Sequence, residues 1–535
     1  MIHADNRRPL CGDILYADAD SFTFIERRFM ETEMKKFNLV DDPWIKVTGR
    51  ELQSLKMLFS DLTLARLSGN AVEKIAVLRF LLALTHAAVE VPDTASWQAL
   101  TPEQISRSVL EYLEHHHDTF ELFGEKPFLQ FPVLAKSEKK QPYSVLSPST
   151  AVGNKPVLTN WNLPVSADVC ELPLFLLRGC GFGMGGKKFD NSLVLTGGYV
   201  GKFNDKGKPA SGSNGALLGF QGYLHSYLQG DTILETIHLN MLTAEEVAEM
   251  GVFPGGMGRP AWEHMPLGED CPRAREYKES FQGILLPLDK FYLLLPAENK
   301  IVMTDGIRYP SHLTGLKDPA LRIFQKGKDI KAVWAKTAVR PWRELSAILS
   351  FLNAIDSNRD PYFLSCGIAK LPATSTVHVW TGGVEVSSNA GEQYVSGKND
   401  YIESDFYFPV EYLAAASLDK YENIMTEIES LQSVLYKSVS GYFKELQNLS
   451  GADIASAASA VFWEMMERDV PQIIEAAFSE NIVDDVAPQE LVKRWRRLVL
   501  DLYDRNCPCA TARQLEAWCK HKPFAYTKKK TTKKG

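Results

Sequence analysis

The chain has 535 residues, 45% apolar and 23% charged, the composition of an ordinary globular protein with core enough for two or three domains, which excludes fibrous and wholly disordered classes. A net charge of −7 excludes nucleic-acid binding through bulk positive charge, so any such role must rest on a local basic groove. Eight cysteines without the dense spacing of a disulfide scaffold point to a reducing, cytoplasmic setting. No apolar run approaches the roughly 20 residues needed to cross a bilayer, and the opening residues contain no signal-peptide core.

Residues 1–33 show no clear period, and Met34 offers an alternative start. Phe37 to Val47 reads as a strand interrupted by a turn. Asn70 to Val89 carries apolar residues at helical spacing and predicts a buried helix. Pro102 to Glu114 predicts another, with Thr101 as N-cap, Pro102 at the first helical position and Gln104 behind it. From Gly124 to about Gly230 glycine, proline, serine and asparagine become frequent and the helical period disappears, as in a loop-rich region. Gly283 to Leu295, Lys300 to Thr304 and His378 to Trp380 read as strands, and Thr381 to Val386 with Gly391 as hairpins. Beyond Asp405 four stretches have helical spacing: Val410 to Leu446, Ala452 to Phe478, Pro488 to Arg505 and Thr511 to His521. Gly441 interrupts the first at a cost near ~1 kcal/mol. The fold class is therefore α+β, a large mixed α/β N-terminal domain followed by a C-terminal four-helix bundle. The expected divisions are an extension at 1–33, the mixed domain at 34–404, the bundle at 405–525 and a basic tail at 526–535.

The most suggestive string is Arg178-Gly-Cys-Gly-Phe-Gly-Met-Gly-Gly-Lys-Lys188. Gly181, Gly183 and Gly186 satisfy a dinucleotide fingerprint, and Gly181 to Lys187 the first seven positions of a P-loop, but Lys188 stands where a magnesium-binding hydroxyl belongs. The next residues, Phe189 to Tyr199, read as loop and strand, where a phosphate site needs a helix. A nucleotide-binding enzyme built on Gly181 to Lys187 remains as the alternative reading. Independently of either motif, clustered glycines present bare N–H donors, and Lys187 and Lys188 add positive charge, which suits nucleic acid; a plain surface loop is the competing explanation.

His115-His116-His117 reads as a helix end, because three adjacent histidines cannot all face one ion. Cys507, Cys509, Cys519 and His521 offer four potential zinc ligands in spacings tighter than usual, and zinc stays open on sequence alone. The common hydrolase, metalloprotease, deaminase and phosphohydrolase signatures are missing, which disfavours an enzyme. Lys493, Arg496 and Arg497 share one helical face while Trp495, Leu498, Val499 and Leu502 turn inward; that basic stripe is either a solvated face or a phosphate contact.

Phe37-Asn-Leu-Val-Asp-Asp-Pro-Trp44-Ile-Lys-Val resembles the opening of the CasA family, the large subunit of the type I-E CRISPR complex Cascade. Lys126-Pro-Phe-Leu-Gln130 is similar to the family's H-P-F-x-Q element, Gly185-Gly186 falls where its glycine loop stands, and Arg259-Pro-Ala-Trp262-Glu resembles its central tryptophan motif. Tyr503-Asp-Arg-Asn-Cys-Pro508 and Ala512 to Ala517 are similar to the closing helix, so the resemblance spans about residues 34 to 523.

The resemblance implies a cofactor-free, non-catalytic subunit that joins other Cascade subunits and a guide RNA. It implies recognition of the protospacer-adjacent motif in double-stranded DNA, help in starting strand separation, and recruitment of a helicase-nuclease, while base pairing reads the remaining sequence. Carried over by position, the motif-reading loop is Gly183, Met184, Gly185 and Gly186, flanked by Lys187 and Lys188, and Arg308 takes the place of the family's motif-contacting lysine. A wedge hairpin falls at Thr381 to Val395 with Ser388, Asn389 and Gln393 at its tip. Leu158, Thr159, Asn160 and Trp161 fall in a loop that contacts neighbouring subunits or the guide.

Overall fold

The computed structural model describes residues 36–143, 168–182, 193, 222–326, 328–353, 362–389, 392–394, 400–479 and 488–524. Its N-terminal core is organised by one helix, α1 (Ala71–Ala88), whose apolar residues point in every direction and are buried on every side. Asn70 opens it with a capping box, its side chain accepting from the Glu73 N–H while the Glu73 carboxylate accepts from the Asn70 N–H. Helix α2 (Pro102–His115) is amphipathic instead and buries only Ile105, Val109 and Leu113, one stripe at i, i+4, i+8.

Around Phe80 of α1 meet aromatic residues from three distant stretches. Trp44 lies 6.0 Å, Phe128 5.7 Å and Trp262 5.6 Å from it, centroid to centroid, the last two edge-on. Gln130 is buried beside them, its amide donating to Leu122 O at 2.7 Å and accepting from Leu294 N at 2.8 Å. Three of the segments that carry the family resemblance, those of Trp44, Phe128 to Gln130 and Trp262, are thus core segments.

Among the described residues four small antiparallel sheets complete the α/β part. Strands β1 (Gln141–Pro142), β2 (His225–Gln229), β3 (Lys290–Leu295) and β4 (Lys300–Asp305) are followed by the pair β5 (Ile323–Lys326) and β6 (Asp329–Ala332). Then come β7 (Thr376–Val384), β8 (Ser387–Asn389), β9 (Glu392–Tyr394) and β10 (Tyr401–Pro409). The sheet orders are β1-β4-β3, β10-β7-β2, β5-β6 and β8-β9. In the β10-β7-β2 sheet, Tyr227 and Trp380 face the N-terminal core. Leu228, Val377, Val379, Phe406 and Phe408 face a second core shared with the C-terminal helices.

The sequence reading needs four corrections. Phe37 to Val47 makes isolated bridges, Asn38 to Glu121, Ile45 to Gln53 and Val47 to Leu67, because the side chains of Asn38 and Asp42 capture local N–H groups and turn the chain. Within the loop-rich region lies helix α3 (Leu172–Phe182); its start is apolar throughout, so no contrast of faces betrays a period. The strand expected from Gly283 begins as helix α4 (Phe281–Leu285), which the Ser280 hydroxyl caps by accepting from the Gly283 N–H. The stretch from Ala452 to Phe478 is two helices, since Pro471 cannot continue the hydrogen-bond ladder and the chain tightens into a 3-10 turn at Glu467–Asp469.

The C-terminal helices are α5 (Ala415–Glu445), α6 (Gly451–Met466), α7 (Val470–Ala477), α8 (Gln489–Asn506) and α9 (Ala512–His521). The other four all pack on α5, whose buried face includes Leu418, Tyr421, Ile428, Leu435 and Tyr442. At Gly441 an added Cβ would lie 2.5 Å from His521 Nδ1, so the glycine makes room for the last helix. Among the described residues no helix is long and apolar enough to cross a membrane.

Candidate nucleic-acid interface

Helix α3 leads toward the glycine-rich string and ends by a tertiary device. Cys180 leaves helical geometry with ψ 93°, Gly181 takes φ 92°, and the Gly181 N–H donates to Asp289 Oδ1 at 2.9 Å. One residue before the break, Gly179 packs under Tyr292 so tightly that an added Cβ would lie 2.6 Å from the ring; the Tyr292 hydroxyl donates to Gly179 O at 3.2 Å. Asp289 and Tyr292 belong to the approach and body of β3, and both are buried. Burial pushes the Asp289 carboxyl above the usual carboxylate range, against the pull of Lys290, whose ammonium lies 3.6 Å from Oδ2. Burial likewise pushes the Cys180 thiol up.

The backbone of the same Asp289 holds a second segment. Its carbonyl accepts from the Gly306 N–H at 2.9 Å, and Leu288 O accepts from Ile307 N at 2.8 Å, so β4 leaves its sheet toward Arg308 along this edge. A side chain at Gly306 would meet Leu288 O at 2.3 Å. Arg308 itself is half-buried.

The third segment is the hairpin β8-β9, reached from β7 and returning to β10. Ser388 pairs with Gln393 and Asn389 with Glu392, so two of the expected tip residues stand opposite one another. At its base Gly222 sits against Val384 and Val386, where an added Cβ would approach Val386 N to 3.3 Å. Tyr401, at the start of β10, is near enough to the buried Arg178 of α3 for each to influence the other's titration. Burial lowers the Arg178 guanidinium pKa, opposed chiefly by Glu73, whose carboxylate is 3.5 Å away.

The approach to the glycine loop and the segment leading to Arg308 therefore meet at Asp289, and the same helix touches the sheet from which the hairpin rises, Phe182 lying 5.5 Å from His225 of β2, ring to ring. Gly183, Met184, Gly185, Gly186, Lys187 and Lys188 lie outside the described residues, as do Leu158, Thr159, Asn160 and Trp161. The basic stripe stands elsewhere, on α8 over the second core. Trp495, Val499 and Leu502 face inward while Lys493, Arg496 and Arg497 are exposed. Lys493 pairs with Glu490 at 2.7 Å, and Arg496 lies over the exposed Phe524 ring at 5.8 Å. Sequence reasoning missed Asp289 and Arg178; the signal for the first was a charged Asp289-Lys290 pair set inside the apolar run Ile284 to Leu295.

The nucleotide-binding alternative loses its geometry here. A P-loop glycine follows a strand and offers its amide to phosphate, whereas Gly181 ends a helix, is buried, and has already given its N–H to Asp289. For zinc, Cys507 is buried with its thiol pushed up to about 12 by burial, Cys509 and Cys519 are exposed, and His521 faces Glu445. Among the described residues no three His, Cys, Asp or Glu side chains come together as a metal site requires. The expected histidine run does end a helix: His115 closes α2, and His117 Nε2 lies 2.7 Å from Asp41 Oδ2.

The model of the CRISPR-associated protein Cse1 family matches residues 38–505. The chain belongs to the Cse1 family. A CasA/Cse1 protein of Thermus thermophilus is 36% identical over 147 residues, 24% of this chain, and that match spans 28% of the relative's length. Among solved structures, Thermobifida fusca Cse1 is similar with a TM-score of 0.67 at 18% identity, covering 90% of this chain and 94% of that one. A chain of a CRISPR RNA-guided surveillance complex is similar at 0.66 and 18%, covering 91% and 98%. This Cse1 family member thus shares the Cse1 fold along nearly its whole length.

Proposed function

We propose that this protein is the non-catalytic large subunit of a type I-E CRISPR surveillance complex, which reads the protospacer-adjacent motif in duplex DNA and starts strand separation. The carrying observation is that Asp289 holds both the glycine-loop approach and the segment leading to Arg308, beside the sheet from which the hairpin rises. A loop of glycines can bring bare backbone against the narrow minor groove, whose degenerate code suits recognition of several related motifs. Arg308 supplies a charge beside it, and hairpin β8-β9 serves as a wedge whose cost, a few kcal/mol per parted step, is offset by motif contacts and guide pairing.

In this reading residues 34–404 form the DNA-facing domain and 405–525 a four-helix bundle, with α6 and α7 as one member broken at Pro471, carrying Lys493, Arg496 and Arg497 toward phosphates, with residues 526–535 a basic tail. The loop at Leu158 to Trp161 meets the guide RNA or neighbouring subunits. The assembled complex recruits a helicase-nuclease in the cytoplasm. The similarity to a chain of an RNA-guided surveillance complex supports the assembly role. The test is duplex binding by the guide-loaded complex, with and without this protein, on targets differing only in the adjacent motif. A preference that needs the protein, and disappears when Gly185 and Gly186 become bulky, is expected; equal preference without it refutes the role.

A further inference from the structure

We propose that a cavity between α1 and the β10-β7-β2 sheet takes one unstacked cytosine base of a single strand. The inference rests on the strand-separating role above and adds to it a place for a base that has left its pair. The cavity measures about 140 Å³. An apolar cavity of about 150 Å³ holds one benzene, so the volume suits a single six-membered ring rather than a purine or a peptide. Its floor is Trp380 of β7 with Tyr227 of β2 beside it, ring centroids 6.2 Å apart, and Leu67, Leu78 and Ile233 complete the apolar walls. The indole lies along the sheet because Gly382, the next residue on the same face, leaves it room: an added Cβ there would lie 2.5 Å from the ring.

The rim carries both signs of charge. Lys74 donates to Glu403 Oε2 at 2.7 Å, and Trp380 Nε1 donates to the same oxygen at 3.2 Å. Asp405 Oδ1 is held 2.7 Å from His378 Nε2, and Arg66 donates to the other ring nitrogen of His378 at 3.3 Å. Gln229 gives its amide hydrogens to Thr236 Oγ1 at 2.7 Å and Gly230 O at 3.1 Å, so its carbonyl oxygen is what remains for a ligand. The side chains of Glu403 and Asp405 are 44% and 43% exposed, which puts the mouth at their end.

These groups select against most occupants. A cationic side chain would meet Arg66 and Lys74, an anionic one Glu403 and Asp405, and an aliphatic one would leave the rim unused. A neutral flat ring that presents a donor beside an acceptor uses both kinds of group. Cytosine does so: its N4 amino group donates to a carboxylate while N3 and O2 accept from Lys74, whose ammonium has three N–H and gives one to Glu403. Thymine and uracil carry the reverse order, a carbonyl in place of the amino group and an N–H in place of the N3 acceptor. Two features favour a strand over a free nucleotide. Trp380 stands about 13 Å along β7 from Val384, the root of the β8-β9 hairpin, at roughly 3.3 Å per residue. Outside the mouth Tyr407, 56% exposed, stacks on His378 at 4.2 Å and offers its other face to an adjoining base.

The test measures, by fluorescence anisotropy on the full-length protein, the binding of labelled oligothymidine with and without one central cytosine, and of the matching oligouridine pair. The strand with cytosine is expected to bind about tenfold tighter. Leu67→Trp, which fills the cavity, and Glu403→Ala, which removes an acceptor, should each bring the two strands within about twofold of one another. A preference confined to the deoxyribose pair assigns the base to displaced DNA, and one confined to the ribose pair assigns it to guide RNA; either supports the pocket. Equal binding with and without cytosine overturns the proposal, as does a preference that Leu67→Trp leaves intact. Should Leu67→Trp fail to fold, seen as lost circular dichroism, Lys74→Met removes the donor from the rim and is read in the same way. A Leu67→Trp protein that binds both strands like the parent but no longer joins the guide-loaded complex marks a protein side chain as the occupant and also overturns the proposal. The duplex assay on targets differing in the adjacent motif separates the two claims. Motif preference without cytosine preference refutes the pocket and leaves motif reading intact, whereas cytosine preference without motif preference supports the pocket and refutes motif reading.

Discussion

Arg79, in the middle of α1, offers the sharpest stability test. Its Nη1 lies 2.9 Å from Asp318 Oδ1, its Nε donates to Leu285 O at 3.1 Å and its Nη2 to Ile284 O, while the two charged side chains are only 2% and 0% exposed. Asp318 Oδ1 also accepts from Ala320 N at 3.0 Å. The substitution Asp318→Asn leaves an acceptor in place but strips the countercharge from a guanidinium that has no water to turn to. Breaking such a buried pair costs about 3 to 5 kcal/mol, far more than any exposed ion pair of this chain would. The double variant Arg79→Met with Asp318→Asn removes the stranded charge, and its cost should fall about 2 kcal/mol short of the summed single costs. Urea denaturation followed by circular dichroism, at a common slope, gives the comparison. A loss below about 1 kcal/mol for Asp318→Asn, or strict additivity, would refute the reasoning.

Three further outcomes are expected. His86 has both ring nitrogens buried without a hydrogen-bond partner, and burial, helped by Lys370, holds its pKa near about 3. The unfolded chain therefore takes up a proton below its ordinary value near 6.5 that the folded chain refuses until about 3, so stability falls as pH drops through that window; His86→Phe should flatten the fall in pH-dependent melts. Gln130→Leu leaves Leu122 O and Leu294 N without their buried partner and should cost about 2 to 4 kcal/mol by denaturant titration, a loss below about 1 kcal/mol counting against the bond's importance. Gly441→Ala should destabilise by about 1 to 3 kcal/mol despite its better helix propensity, with His521→Ala in the same chain restoring the melt.

The division between legible and hidden structure in this chain runs along the range of the forces involved. Helix starts were legible where a short-range device declares them: Thr101 with Gln104 bonds as expected from spacing, and Asn70 and Thr511 behave likewise. Helix α3 was not, because Leu172-Pro-Leu-Phe-Leu-Leu is apolar on all sides and a buried helix has no polar face to mark its period. The inward turn of Trp495, Val499 and Leu502 on α8 followed from spacing. At the candidate interface, the glycines of Arg178 to Phe182 invited a ligand-binding reading, yet Gly179 and Gly181 serve packing and a tertiary hydrogen bond. The residue responsible, Asp289, is 108 positions away from Gly181, and no local pattern connects them. Arg308 shows the same limit, since it comes near the glycine-loop approach through the backbone of Leu288 and Asp289.

The β10-β7-β2 sheet, with one face in each core, bears on how the molecule responds to load. Because β7 gives Trp380 to one interior and Val379 to the other, displacing the C-terminal helices relative to this sheet would uncover Val377, Val379, Phe406 and Phe408 together. Opening that seam exposes apolar surface at about 25 cal/mol per Å², whereas carrying the sheet along exposes none of it. The helices and the sheet are thus coupled as a lever, and a push on α5 reaches the base of the β8-β9 hairpin through strands that cannot slip without breaking register.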